Sequence, residues 1–148
     1  MYRKGTEKDC KAVYGLICAL EDSTLPFTRF SDIYREQLRD RRYFCLVWEE
    51  GGEVMGVLNL RFEKQLHRAE KVAEILEFVV QAACRSRGIG KTMFDEACRI
   101  AEEAGCTRLE VDSNRRRADA HRFYLREGMS LTHAKFTKSL KSGLDEEL

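Results

Sequence analysis

The 148-residue chain has no apolar run of the roughly 20 residues that a membrane-spanning helix needs, no linker-like stretch and no internal repeat. A single domain, over residues 1–140, is therefore expected, with 141–148 a frayed C-terminal tail. The opening residues Met1-Tyr2-Arg3-Lys4 run into polar positions instead of an apolar stretch, so no secretory leader is expected and the location is read as cytoplasmic. Neither sign of charge dominates. The 26 Lys and Arg against 25 Asp and Glu leave +1, which offers no global argument for nucleic-acid or membrane partners. The six cysteines, Cys10, Cys18, Cys45, Cys84, Cys98 and Cys106, include no Cys-x-x-Cys pair. Cys10, Cys18 and Cys98 fall in helix-like patterns and Cys45 in a strand-like one, so buried free thiols are expected ahead of disulfides or zinc. His121 and His133 have no carboxylate at metal-ligand spacing; no dedicated metal site is predicted, although a divalent ion carried in with an anionic substrate stays compatible.

What is present is a regular succession of elements. A short strand (Met1 to Lys4) leads to Thr6-Glu7-Lys8-Asp9, a capping box, and to a helix carrying Val13, Leu16, Ile17 and Leu20 up to Glu21. Pro26 breaks that helix, and Ser31 is expected to cap a second short one with Ile33, Tyr34 and Leu38 on its apolar side. Tyr43 to Trp48 and Val54 to Phe62 read as strands joined by a hairpin at Glu50-Gly51-Gly52. The polar stretch Lys64 to Lys71 reads as a loop before a strand ending at Val80. A helix with Met93, Phe94, Ala97, Ile100, Ala101 and Ala104 on one face stops at Gly105. There follow a short buried strand (Leu109 to Val111), a helix (Ala118 to Glu127, ended by Gly128) and a final strand or pair of strands at about Ser130 to Ser139. The predicted order is β-α-α-β-β-β-α-β-α-β, a mixed α/β sheet, mostly antiparallel, with helices on both faces.

The most informative segment is Arg85-Ser86-Arg87-Gly88-Ile89-Gly90-Lys91, between the apolar strand Ile75-Leu76-Glu77-Phe78-Val79-Val80 and the amphipathic helix. A glycine turn that opens a helix aims unsatisfied N–H groups at one point, and the helix dipole favours an anion there. Arg85, Arg87 and Lys91 add positive charge, so a phosphate or pyrophosphate is the natural guest. A nucleotide-binding Walker A loop needs glycine where Arg85 stands, and the dinucleotide fingerprint needs a third glycine where Met93 stands. An ordinary strand-to-helix turn with basic surface residues fits the loop alone.

The remaining pattern, Arg85-x-x-Gly88-x-Gly90 after a strand, resembles the coenzyme A pyrophosphate loop of the GNAT superfamily of N-acetyltransferases. The resemblance extends to the N-terminal helical pair, the strand ending Phe78-Val79-Val80, Asn114 after the next strand, and Phe123-Tyr124 in the last helix. Three stretches, Ala12 to Leu20, Asp119 to Gly128 and Phe136 to Leu140, are similar to the bacterial aminoalkylphosphonate N-acetyltransferases. The resemblance implies an acetyl-CoA-dependent acyltransferase acting on a primary amine in a ternary complex, with a homodimer possible by analogy. It implies that Phe78, Val79 and Val80 lend backbone groups to the pantetheine arm, that Arg85, Arg87, Gly88, Ile89, Gly90 and Lys91 hold the pyrophosphate, and that Asn114 contacts the pantetheine. It also implies that Tyr124 protonates the departing thiolate. A buried core strand, a turn asparagine and a core tyrosine are the plainer accounts of these residues.

Glu77 is a carboxylate inside an apolar strand and fits either a general base or a structural acid paired with a cation. Strict alternation sends Glu77 with Ile75 and Val79 to one face, and Glu74 with Leu76, Phe78 and Val80 to the other. Glu74, His67 and Arg61 are candidates at the acceptor site, and a phosphonate would call for arginines such as Arg29, Arg61, Arg68 or Arg122. The run Arg115 to Arg117 could serve the 3′-phosphate of coenzyme A. Three functions stay compatible: aminoalkylphosphonate acetylation, acetylation of a polyamine, aminoglycoside, amino acid or protein amine, and a non-catalytic coenzyme A-binding regulator.

Overall fold

The computed structural model describes residues 1–113 and 117–140, and the chain divides into two compact units, Met1–Val111 and Asp112–Leu148. The first unit holds β1 (Tyr2–Lys4), a single 3-10 turn (Glu7–Asp9), α1 (Cys10–Glu21), α2 (Phe27–Leu38), β2 (Tyr43–Glu50), β3 (Glu53–Gln65), β4 (Glu70–Val80), a second 3-10 turn (Ala82–Cys84), α3 (Ile89–Glu103) and β5 (Arg108–Val111). Its sheet has the order β1-β2-β3-β4-β5. The first four strands run antiparallel to their neighbours and β5 lies parallel to β4. This is the mixed, mostly antiparallel sheet expected from the sequence.

Side-chain alternation divides the interior into two layers. On one face Cys45, Val47, Val57 and Val79 pack with Cys10, Val13, Leu16 and Ile17 of α1 and with Tyr34 of α2. The opposite face receives α3, through the buried side chains Met93, Phe94, Ala97 and Ala101. A Cβ on Gly56 of β3 would stand 3.1 Å from Met93 Sδ, so the glycine lets α3 close on the strand. The hairpin between β2 and β3 turns on Gly51 and Gly52, whose φ angles of +57° and +80° suit glycine at both central positions.

The capping box holds. Thr6 N–H donates to Asp9 Oδ2 at 2.8 Å, and Asp9 N–H returns to Thr6 O at 3.0 Å. Arg3 grips the same carboxylate with both terminal nitrogens, at 2.8 and 3.0 Å, tying β1 to the entry of α1.

Several expectations are corrected. Ser31 does not cap α2; the helix starts at Phe27 with Pro26 as its N-cap, and Ser31 is buried inside it. Proline pre-sets the first turn, and Phe27 and Phe30 pack edge-on against Tyr14, so the helix begins where its aromatic contacts begin. Ile33 is 50% exposed and lies outside the packed side. The Lys64–Lys71 loop shrinks to four residues, 66–69, because β3 runs to Gln65 and pairs it with Glu70. β5 begins at Arg108 and is half-buried, not buried.

The second unit holds α4 (Ala118–Arg126), closed by Gly128 at φ +89°. Residues 130–140 form no strand, and Leu131, Phe136 and Leu140 are exposed. The described part of this unit contains no other strand, so an alternating pattern has no ladder to join there. Asn114, Arg115, Arg116 and the expected tail 141–148 lie outside the described residues. All six cysteines are free thiols; Cys10, Cys45, Cys84 and Cys106 are buried and Cys18 and Cys98 half-buried.

Candidate active site

The β3–β4 ladder contains one irregularity, and it sets the position of Glu77. Asn59 pairs with Glu77 while the next residue, Leu60, pairs with Ile75, leaving Leu76 as the extra residue of a β-bulge. A single extra residue reverses the alternation beyond it. The expected sharing of a face by Glu77 and Ile75 is therefore wrong: Glu77 joins Val79, Val57 and Asn59 on the α1/α2 face, whereas Ile75 joins Leu60 on the α3 face. Glu74, in register with Arg61, comes to the same face as Glu77 instead of the opposite one. Without the bulge Glu77 would sit opposite Leu58, which is fully buried.

Glu77 Oε1 accepts a hydrogen bond from Asn59 Nδ2 at 2.8 Å. Burial pushes the Glu77 carboxyl above the ordinary glutamate range, the Asn59 bond pulls the other way, and the negative charge of Glu21 in α1 adds to the rise. Asn59 is only 7% exposed. Sequence reasoning missed it; the available signal was an amide interrupting the apolar run Val57-Leu58-Asn59-Leu60.

Arg61 and Glu74 form an ion pair at 2.5 Å, and Arg61 Nε is buried without a hydrogen-bond partner. In the parallel ladder Glu74 is level with Glu110, whose carboxylate pairs with Arg68 at 2.9 Å. His67, by contrast, is exposed in the β3–β4 turn, next to a fully exposed Leu66.

After β4 the chain passes the 3-10 turn and enters α3 through Gly88 at φ +80°, with Ser86 also left-handed at +70°. No side chain caps the start of α3, which leaves the first-turn N–H groups of a helix pointing out of its end. Ile89 itself is buried and anchors the helix start. The cations expected to surround an anion are committed locally: Arg87 pairs with Glu50 of the β2–β3 hairpin at 2.9 Å, Lys91 with Asp95 at 3.3 Å, and Arg85 Nε donates to Val80 O at 3.0 Å. Backbone dipoles, with these side chains as a basic rim, are what the loop offers a pyrophosphate. The β4–β5 ladder stops at Ile75 and Val111, while β4 stays paired with β3 through Val80. Phe78, Val79 and Val80 thus form a sheet segment beyond the end of β5, leading into the loop. An uncapped helix start and a strand edge that outruns its neighbour fit an extended acyl carrier with a pyrophosphate.

Tyr124 lies on α4 in the second unit, its ring in edge contact with Phe123. Burial raises its phenol, and the charge of Arg117 opposes the rise. Among the described residues no group of three or more His, Cys, Asp or Glu could hold a metal ion, and no helix is long and apolar enough to cross a membrane.

Comparisons with known proteins bear on this geometry. Residues 11–129 match the acetyltransferase (GNAT) family. The chain is 38% identical over 138 residues to the aminoalkylphosphonate N-acetyltransferase of Salmonella typhimurium (strain LT2), covering 93% of this chain and 90% of that one. A shorter match, 41% identical over 59 residues, is to the uncharacterized N-acetyltransferase YhdJ of Bacillus subtilis (strain 168), covering 40% of this chain and 41% of that one. Among solved structures, a transcriptional regulator from Bacillus halodurans C-125 superposes with a TM-score of 0.86 at 23% identity, covering 95% of this chain and 99% of that one. An acetyltransferase from Trypanosoma brucei does so with 0.77 at 22%, covering 95% and 99%. These last two likenesses concern the fold alone. With the family matched over residues 11–129 and 38% identity sustained across 93% of the chain, the protein belongs to the GNAT family of acetyltransferases, acyltransferases that use acetyl-CoA.

Proposed function

We propose that this acetyltransferase moves the acetyl group of acetyl-CoA to the primary amine of a small aminoalkylphosphonate, by direct attack in a ternary complex. The identity of the acceptor rests on the 38% identity to the Salmonella enzyme. The observation that carries the chemistry is Glu77, a half-buried carboxylate with a raised pKa, aimed by a bulge to the α1/α2 face of the strand that leads into the α3 loop.

Acetyl-CoA, when bound, supplies an acyl group already activated as a thioester. The chain supplies the rest. The α3 N–H groups from Gly88 to Lys91 hold the pyrophosphate, with Arg85 and Arg87 on the rim, and β4 at Phe78 to Val80 orients the pantetheine arm as an added strand. Glu77 takes a proton from the acceptor ammonium, directly or through one water, and so frees the neutral amine whose lone pair attacks the thioester carbonyl. Tyr124 is assigned to return a proton to the departing thiolate, the phenol being a weak donor that must act as the carbon–sulfur bond breaks. The Tyr124→Phe variant should lose about 10²-fold or more in kcat, the usual scale of a general acid. Arg61 is the arginine on the Glu77 face best placed to meet a phosphonate. A single domain over residues 1–140, a homodimer and a cytoplasmic location belong to the same proposal.

One observation favours a second acceptor class. Arg61 is already neutralised by Glu74, and Glu63, Glu110 and Glu77 share the face. A face with that many carboxylates suits a cationic amine. Thiol release from acetyl-CoA, measured with aminomethyl-, 1-aminoethyl- and 2-aminoethylphosphonate, their carboxylate analogues, spermidine and an aminoglycoside, separates the two. Turnover with phosphonates well above the carboxylates supports the first reading. Turnover confined to the cationic amines replaces it with the second.

A further inference from the structure

We infer that Asn59 is a positioning residue for the reaction: its amide clamps Glu77 Oε1 and leaves Oε2 as the oxygen that meets the acceptor amine. The inference rests on the reading of Glu77 as the base. Three features of the structure support it independently of any assigned role. The bulge at Leu76 is what brings Glu77 level with Asn59. The amide is buried, at 7% exposure, and spends a donor on the carboxylate at 2.8 Å. Asn59 is also held on its other side, where β3 pairs it with Cys45 of β2, so its position is set by two ladders.

A neutral amide is suited to this task in a way a cation is not. An arginine or lysine opposite Glu77 would hold the carboxylate ionised but too weakly basic to accept a proton from an ammonium near neutral pH. An apolar residue would leave the carboxyl protonated over the same range. An amide N–H stabilises the ionised form moderately and, having no proton to lose, keeps its role at every working pH. Among the described residues, the other ionisable groups on this side of the sheet include the Arg3–Asp9 pair, Cys10 and Glu21 of α1, Tyr34 of α2, Tyr43 and Cys45 of β2, Arg61 and Glu63 of β3, Glu74 of β4 and Glu110 of β5. Glu21 raises the carboxyl, and burial holds the Cys45 thiol neutral, pushed up to about 12. Arg61 and Glu74 offset each other in their ion pair. The Asn59 amide is therefore the main group lowering the Glu77 carboxyl.

The test is the Asn59→Leu variant, which keeps the branched shape of the side chain and removes the donor, with Asn59→Ala as a smaller replacement should leucine prevent folding. The Glu77 carboxyl is followed in the protein without acyl donor by carbon-13 NMR of labelled glutamate, its signal identified by loss in Glu77→Gln. Removing a charge-assisted hydrogen bond should move the titration up by about one to two pH units. The acid limb of kcat/KM should move by the same amount, with activity recovering at pH above the new limb. A titration that stays in place in Asn59→Leu or Asn59→Ala overturns the inference. So does a uniform loss of rate with the pH profile unmoved, which is what a purely structural residue would give. The two readings fail separately: wild-type kcat/KM at all pH in Glu77→Gln removes the base and this inference with it, whereas an inactive Glu77→Gln beside an unshifted Asn59→Leu removes Asn59 alone.

Discussion

Arg61 Nη2 and Glu74 Oε1 stand 2.5 Å apart across the β3–β4 ladder, on the face that also carries Glu77. If Arg61 is the phosphonate contact, an anionic acceptor must compete with Glu74 for it. Arg61→Ala should then raise KM for aminoalkylphosphonates at least tenfold, the loss of about 1.4 kcal/mol of charge-assisted binding. Glu74→Gln should lower that KM several-fold, with little change for a neutral or cationic amine. Steady-state kinetics with both acceptor classes check the pair; equal effects on both would deny Arg61 the phosphonate.

The pH dependence of kcat/KM should have an acid limb above the ordinary glutamate value of about 4.3, because burial raises the Glu77 carboxyl. Glu77→Gln should cost about 10²–10⁴-fold in kcat at neutral pH, the range of a general base. The stability consequence has a definite sign. A carboxyl whose pKa is higher in the folded state contributes stability below the unfolded value, and that contribution is lost as pH rises through the folded one. Glu77→Gln should therefore gain stability relative to wild type as pH rises across that window, read from urea denaturation at a series of pH values.

Gly88→Ala tests the loop. A residue at φ +80° costs an L side chain about 1–2 kcal/mol, although no atom lies within 4 Å of the added methyl. The variant should melt a few degrees lower and show a raised KM for acetyl-CoA, with the pH profile of Glu77 unaltered. A variant that melted lower while keeping its wild-type affinity for coenzyme A would take the α3 turn out of the cofactor site.

Asp9→Asn tests the join between β1 and α1. The Arg3 guanidinium holds the buried Asp9 carboxyl below the usual aspartate range, helped by the Thr6 N–H. Breaking that pair should cost about 2 kcal/mol at pH 7, discounted from the fully buried case because Arg3 is partly exposed. The stability of a depressed carboxyl is present above its unfolded value, near 3.9, and fades as pH falls through the folded one. The gap between Asp9→Asn and wild type in urea unfolding should close below that value.

Local pattern carried much of the fold. The periodicity of Val13, Leu16 and Ile17, the Gly51-Gly52 turn and the apolar stripe of α3 each express a preference that needs no distant partner, and each element appears where expected. Ser31 misled because a capping residue was chosen over a proline that sets the first turn just as well. The expected C-terminal strand misled because alternation alone does not make a strand: it needs a ladder, and residues 130–140 form none.

The site divides in the same way. Arg85-x-x-Gly88-x-Gly90 was readable because a left-handed glycine and an uncapped helix start are properties of a few consecutive residues. That Arg87 would turn to Glu50, or that Glu74 and Glu77 would share a face, was not readable, because each depends on partners many positions away. The sequence by itself determined the order of the elements from β1 to α4, the glycine-led start of α3 and the presence of a carboxylate in β4. Tertiary structure alone decided where that carboxylate points, since the bulge at Leu76 arises from the pairing of β4 with β3 and one extra residue turns Glu77 from the α3 layer to the amide of Asn59.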